Sequence, residues 1–340
     1  MAGAYARLTG QLGVCMASNG PGGANVLPGL VVEQAEGNRV LCVSSARRTG
    51  LSYPERPGAY QSFDQSAVVS AFAKWSRAAP TYERVPELMR AALRACWEGR
   101  PGVVHLDVPE NIMNGAFKGE PALWAPFEYR RASPTHPAPQ DVERAAEMLA
   151  AAEAPMIHAG SGVVHAGAYA ELARVAALLH APVTTSWGAR GALPETSELS
   201  VPLIHVKLNH EVRNDADVVL CVGSRLGETD WWGKAPYWRQ PAGQKMIQVD
   251  VDGAALGASK PAALAVLADA KLFLAQLAVQ LEARADRMQL GPRRARVAKY
   301  AATCASERAE LDKRLEDRAV PMNPAHVAHA CQKVFGDDAV

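Results

Sequence analysis

Residues Ser18-Asn19-Gly20-Pro21-Gly22-Gly23-Ala24-Asn25 form a glycine-rich turn between two patterned segments. Before it, Gly13–Ala17 is a short apolar run that reads as a buried strand. After it, Val26–Glu36 places Leu27, Leu30, Val31 and Gln34 at near-helical spacing. A strand, a glycine turn and a helix bring backbone N–H groups and a helix N-terminus up to a ligand. Pro21 stiffens the turn, and Gly20, Gly22 and Gly23 permit close approach. A tight strand-to-helix connection that binds nothing has the same spacing. The glycines alone leave both readings open.

The alternation continues. Arg39–Ser44 reads as a second buried strand, Pro86–Trp97 as a helix with Leu88, Ala91, Ala92, Ala95 and Cys96 along one face, and Val103–Pro109 as a third strand. Between them, residues 46–66 are polar and irregular, and a connection this long inside a domain is more often functional than idle. Ala4–Gly10 reads as the closing turn of a helix with Gly10 just past its end, so the first block lacks an opening strand and helix. Residues 1–119 therefore read as a partial parallel α/β domain, and the Pro-rich stretch 120–139 as an extended linker. Residues 140–285 repeat the alternation with strands at Pro155–Gly160, Pro182–Ser186, Val218–Gly223 and Met246–Val251, which describes a doubly wound, Rossmann-like domain. Gly160-Ser161-Gly162 opens the helix that carries Leu172, Val175, Ala176 and Leu179. Residues 286–320, with Arg293 to Arg318 set against Glu307 to Glu316, read as a solvated helical connector. Residues 321–340 read as the start of a third domain: a helix at Ala325–Phe335, then Gly336–Val340 approaching a strand.

The 340 residues are 49% hydrophobic and 21% charged, with a net charge of +1. That supports sizeable cores and gives no electrostatic case for nucleic acid or an anionic membrane as partner. No run approaches the roughly 18 apolar residues of a membrane span. The six scattered cysteines include no C-x-x-C pair, which suits reduced thiols and a cytoplasmic protein.

Several stretches in order resemble the thiamine diphosphate (ThDP) enzymes of the acetolactate synthase type. They are Gly3–Gly10, Ser18–Asn25, Gly58-Ala59-Tyr60-Gln61, Gly99–Pro109, Ala159–Gly162 and Gly188–Glu195. The resemblance implies a pyrimidine-binding domain followed by a central domain and the start of a pyrophosphate-binding domain. It places Asn19, Gly20, Pro21, Gly22 and Asn25 beside the aminopyrimidine, and Gln61 at the reacting side of the thiazolium. A neutral amide there can hydrogen-bond a developing oxyanion without burying a charge. It also implies decarboxylation of a 2-oxo acid such as pyruvate with carboligation, and a homo-oligomer whose active site lies at a subunit boundary.

The activating glutamate and the motif that holds Mg²⁺ and the diphosphate would lie outside this stretch, so the chain reads as an inactive fragment with no metal ligands of its own. In the central domain, Gly160, Gly162 and Asp250 could hold a nucleotide, FAD or ADP. The His-Gly pair that accompanies FAD is not evident near Leu203–Val206, and some relatives leave this domain empty, so the reading favours an empty central domain over an occupied one. Other readings remain: an assembly or regulatory subunit that keeps only the fold, a related oxalyl-CoA or benzoylformate decarboxylase, or a nucleotide-dependent oxidoreductase. His326 and His329 read as surface helix positions, Trp231, Trp232 and Trp238 as packing, and Asp107 as a strand-end hydrogen-bonding residue.

Overall fold

The computed structural model describes residues 1–52, 54, 56–116, 118–131, 133–316 and 320–335. In its first part, α1 (Ala2–Thr9), β1 (Gly13–Ala17), α2 (Pro21–Glu36), β2 (Val40–Ala46), α3 (Thr49–Ser52), α4 (Gln65–Ser70), β3 (Trp75–Ala78), α5 (Val85–Trp97), β4 (Val103–Pro109) and α6 (Glu110–Met113) follow one another. The four strands form a parallel sheet in the order β1-β2-β4-β3. β4 is buried along all seven residues, His105 and Asp107 included, as a strand covered on both faces should be. Gly10 ends α1 at φ 68°, its N–H bonded to the Ala6 carbonyl.

Two expectations fail here. β1 is not buried: it is an edge strand whose Val14 and Met16 are 53% and 74% exposed. The helix after the glycine turn begins at Pro21, not Val26. Proline's fixed φ and missing N–H suit the first helical position, so Pro-Gly-Gly-Ala-Asn is helix rather than loop.

A single turn, α7 (Pro126–Tyr129), interrupts the linker. The second part contains α8 (Pro139–Ala151), β5 (Pro155–Ala159), α9 (Ser161–His165), α10 (Tyr169–Leu179), β6 (Val183–Thr185), α11 (Val206–Asp215), β7 (Val218–Val222), β8 (Lys245–Asp250), β9 (Leu264–Leu267) and α12 (Ala270–Glu282). Its parallel sheet runs β6-β5-β7-β8-β9, so strand order reverses between β5 and β7. Such a reversal opens a crevice at the carboxyl ends of the strands. Leu149, Leu172, Leu179, Leu220, Ile247, Phe273 and Leu277 fill the core. Gly160-Ser161-Gly162 opens only the short α9, and the helix carrying Leu172 starts anew at Tyr169, after Gly167 at φ 59°.

The charged segment forms α13 (Leu290–Leu315), followed by α14 (Ala325–Val334). Its first half is docked, not solvated. Arg293 is 2% exposed and donates to the carbonyls of Leu149, Ala150 and Ala152 at the end of α8 and of Leu179 at the end of α10. One guanidinium thus caps two helices whose last carbonyls lack partners and whose dipoles favour a cation. Arg318 and the closing Gly336–Val340 lie outside the described residues. No helix among the described residues is long and apolar enough to cross a membrane.

Candidate functional site

The turn between β1 and α2 meets the loop carrying Gln61. Gly20 adopts φ 62° and ψ −112°, a region essentially restricted to glycine. A Cβ there would lie 2.6 Å from the Gln61 carbonyl oxygen. Asn19 donates its side-chain amide to that same carbonyl at 3.2 Å, and Gln61 itself sits at φ 53°. Asn19, Gly20 and Gln61 are therefore brought together. Pro21 and Asn25 are exposed on the opening turns of α2, with Gly22 half-buried between them, and Gln61 is exposed beside them. The result is an open helix N-terminus flanked by neutral amides.

Beneath it lies a polar network that sequence reasoning missed. Gln65, 3% exposed, accepts from the Gly20 N–H at 2.9 Å. Its Nε2 donates to Asp107 Oδ1 at 2.9 Å and to the Ser45 carbonyl at 3.0 Å. Ser44 Oγ lies 2.8 Å from Asp107 Oδ1 and 2.6 Å from His105 Nε2, while His105 Nδ1 lies 2.8 Å from Ser76 Oγ. Asp107 thus plays the strand-end role expected of it. Burial lowers the pKa of His105, opposed by the Asp107 carboxylate. The only sequence signal for Gln65 was the Asp-Gln pair just after Gln61, with Asp64 capping α4 by accepting from the Ala67 N–H.

The second candidate site is a cavity of about 940 Å³ between the two sheets. Gly162 and Asp250 line it; Gly160 does not. A Cβ on Gly160 would lie 2.2 Å from the Gly223 carbonyl oxygen, and one on Gly162 would lie 2.6 Å from Gly223 Cα. Gly160 therefore serves the crossing of two backbones at the β5/β7 reversal rather than a ligand. Asp250 accepts from the Asp252 N–H at 2.9 Å, and burial raises its pKa. Arg39, Arg94, Arg100, Arg130 and Arg225 also line the cavity, with Arg130 4.1 Å over the Trp97 ring. Two arginines and a histidine hold the far end of α2: Arg100 donates to the Gln34 carbonyl at 3.0 Å, Arg225 to the Ala35 carbonyl at 3.2 Å, and His165 Nε2 lies 3.1 Å from the Glu36 carbonyl. Helix α2 therefore spans about 24 Å between the two sites.

Residues 1–68, which carry the turn, Gln61 and Gln65, match the N-terminal TPP-binding domain of the thiamine pyrophosphate enzymes. Residues 142–277, which carry the second sheet, match the central domain of the same enzymes. The chain belongs to the thiamine pyrophosphate enzyme family. Relatives include a Methanocaldococcus jannaschii protein named as a probable acetolactate synthase large subunit, 30% identical over 284 residues, covering 82% of this chain and 47% of the relative. A Pseudomonas aeruginosa protein named as a probable 2-ketoarginine decarboxylase is 31% identical, covering 92% of this chain and 54% of the relative. The glyoxylate carboligase of Escherichia coli O157:H7 is 26% identical, covering 99% and 56%. The chain thus spans about half the length of the curated relatives it matches. A solved Mycobacterium smegmatis structure, described as a thiamin diphosphate-dependent enzyme, shares the fold at a TM-score of 0.66 and 23% identity, covering 82% of this chain and 52% of that one.

The residues at the start of α2 suit the aminopyrimidine half of thiamine pyrophosphate. A heteroaromatic ring needs neutral hydrogen-bonding groups at its edge, and the exposed amides of Asn25 and Gln61 beside Pro21 supply these. Among the described residues no group of three His, Cys, Asp or Glu side chains could hold a metal ion. His326 and His329 lie in α14 without such a group. Trp238 is buried and donates to the Asp230 carbonyl at 2.8 Å, whereas Trp231 stacks on Tyr237 with centroids 3.9 Å apart.

Proposed function

We propose that this chain supplies the aminopyrimidine wall of a ThDP-dependent enzyme that decarboxylates a 2-oxo acid, such as pyruvate, and transfers the two-carbon unit, in the manner of acetolactate synthase. The meeting of Asn19, Gly20 and Gln61 at the start of α2, inside the family's TPP-binding region, carries this reading. When bound, ThDP supplies the electron sink that stabilises the carbanion left by decarboxylation. Pro21, Gly22 and Asn25, at the exposed opening of α2, are the residues that would hold the ring, with the Asn25 amide available to orient it. The Gln61 amide stands where it can donate to a developing oxygen anion without itself changing charge.

Partners follow as part of the same proposal: a homo-oligomer whose other subunit completes the site, a small-molecule substrate, Mg²⁺ held by residues other than these, and a cytoplasmic setting. The 940 Å³ cavity, with six arginines (Arg131 among them) and Trp97 in its lining, favours a second ligand of the nucleotide kind, ADP or FAD, in the central domain. Absorbance at 450 nm in the purified protein separates FAD from ADP.

The test is a calorimetric titration of the chain with ThDP and with oxythiamine diphosphate, which replaces the pyrimidine amino group by oxygen. ThDP is expected to bind, oxythiamine diphosphate to bind at least 10-fold more weakly, and Gln61→Ala to leave ThDP affinity within 3-fold. The 340-residue chain alone is expected to show no turnover of pyruvate. Equal binding of the two cofactors, or none of either at millimolar concentration, would contradict the assignment.

A further inference from the structure

We infer that Gln65 is a positioning residue that sets the shape of the pyrimidine site from beneath without touching the cofactor. The inference rests on the reading of the α2 N-terminus as that site. Gln65 joins the turn to the ends of both β2 and β4. Its Oε1 accepts from the Gly20 N–H at 2.9 Å; its Nε2 donates to Ser45 O at 3.0 Å and Asp107 Oδ1 at 2.9 Å, with Ser44 Oγ at 3.3 Å.

Gly20 is the residue at which the chain reverses into the helix, and both of its polar backbone groups are held. The N–H is held by Gln65, and the carbonyl accepts from Ala24 N–H at 2.9 Å. An N–H buried at a helix start without a partner loses its hydration with nothing in return, so the amide fixes which way this peptide faces. Gln65 also explains Gly23. A Cβ at Gly23 would lie 2.5 Å from Gln65 Oε1, so this glycine makes room for the amide rather than for the ligand. The turn's glycines thus divide: Gly20 allows the backbone to pass Gln61, and Gly23 allows Gln65 to reach Gly20.

An amide is the group this slot requires. One side must accept from Gly20, and the other must donate to Asp107 and Ser45. A neutral carboxylic acid keeps the acceptor and one of the two donated bonds; a carboxylate offers only acceptors. The charged and titratable groups around the slot are Asp107 on β4, His105 on β4 through Ser44, and Asp64 at the start of α4. Gln65→Glu should therefore fill the slot when protonated and be driven from it by Asp107 when ionised. Gln65→Leu should fail at every pH.

The experiment measures amide hydrogen exchange by mass spectrometry on the cofactor-free chain, each variant against wild type at the same pH, at pH 6 and pH 8.5. Gln65→Leu is expected to lose at least 10-fold protection over residues 19–25 at both values, with β5 and β7 unchanged as a control for folding. Gln65→Glu is expected to match wild type within 3-fold at pH 6 and to lose at least 10-fold at pH 8.5. ThDP affinity is read in parallel and should follow the same pattern. Wild-type protection of residues 19–25 in Gln65→Leu, or a pH-independent Gln65→Glu, overturns the inference. The exchange pattern without any matching change in ThDP affinity keeps the role of Gln65 in the turn and refutes instead the reading of that turn as the pyrimidine site.

Discussion

Replacing Gly20 by alanine puts one methyl group where two backbones cross. At φ 62° and ψ −112°, a residue with a side chain carries about 1–3 kcal/mol of strain. The added Cβ would lie 2.6 Å from the Gln61 carbonyl oxygen and 2.9 Å from its carbonyl carbon. Relief therefore requires the Gln61 backbone to withdraw, which breaks the Asn19–Gln61 bond at a further cost of about 1 kcal/mol. The sum is about 2–4 kcal/mol. Gly22→Ala is the matched control, because its Cβ would meet chiefly the hydroxyl of Ser18, an exposed side chain that can rotate away. That variant should cost no more than about 1 kcal/mol. Urea unfolding of both variants, followed by tryptophan fluorescence, reads the difference directly. If Gly20→Ala falls within about 0.5 kcal/mol of Gly22→Ala, the crossing of the turn and the Gln61 loop is not the constraint described here.

Arg293→Met should destabilise the second domain by about 3–5 kcal/mol in the same assay, since four carbonyls at two helix ends lose their donor; Arg293→Lys should fall between it and wild type. A hydrogen bond from Cys42, its register partner on β2, holds the Cys15 thiol at about 7. Peptide mapping after brief iodoacetamide treatment at pH 7.5 should find Cys15 alkylated well before Cys96, whose thiol burial pushes up to about 11, and Cys42→Ala should slow the reaction at Cys15. Burial lowers the pKa of His105 in the folded chain, so the folded state binds that proton less readily than the unfolded one. Its contribution to stability is present above the unfolded value near 6.5 and is lost as pH falls toward the folded one. The urea midpoint should therefore drop between pH 7.5 and pH 5.5, and His105→Asn should flatten that dependence, leaving the shares of His165 and His210, whose pKa values are also lowered by burial.

The legible parts of the sequence were those whose environment repeats along the chain. Val103–Pro109 and Val218–Val222 are covered on both faces, so apolar residues run through them with only His105 and Asp107 as polar interruptions. Trp75-Ser76-Arg77-Ala78 forms β3 through pairing with β4, and its own composition favours no strand. Leu264–Leu267 was missed as β9 because alternate residues face out at the sheet edge. Gln61 was found through the order of motifs. Gln65 was not, because Asp64-Gln65 looks like any polar turn and its partners Ser45 and Asp107 stand 20 and 42 residues away. Arg293 hid among alternating charges for the same reason: only the tertiary fold brings two helix ends to it. Gly160 shows the converse, a glycine in a nucleotide-like pattern whose reason is backbone crossing.

Transverse-relaxation-optimised NMR of the ¹⁵N-labelled chain, titrated with ThDP, follows each backbone amide separately. If the start of α2 seats the pyrimidine, the amides of residues 19–25 and Gln61 shift in a single saturable process, and those lining the arginine-rich cavity shift only with ADP or FAD. Shifts confined to the cavity on adding ThDP, with Gly20, Gly22, Asn25 and Gln61 unmoved, would contradict it.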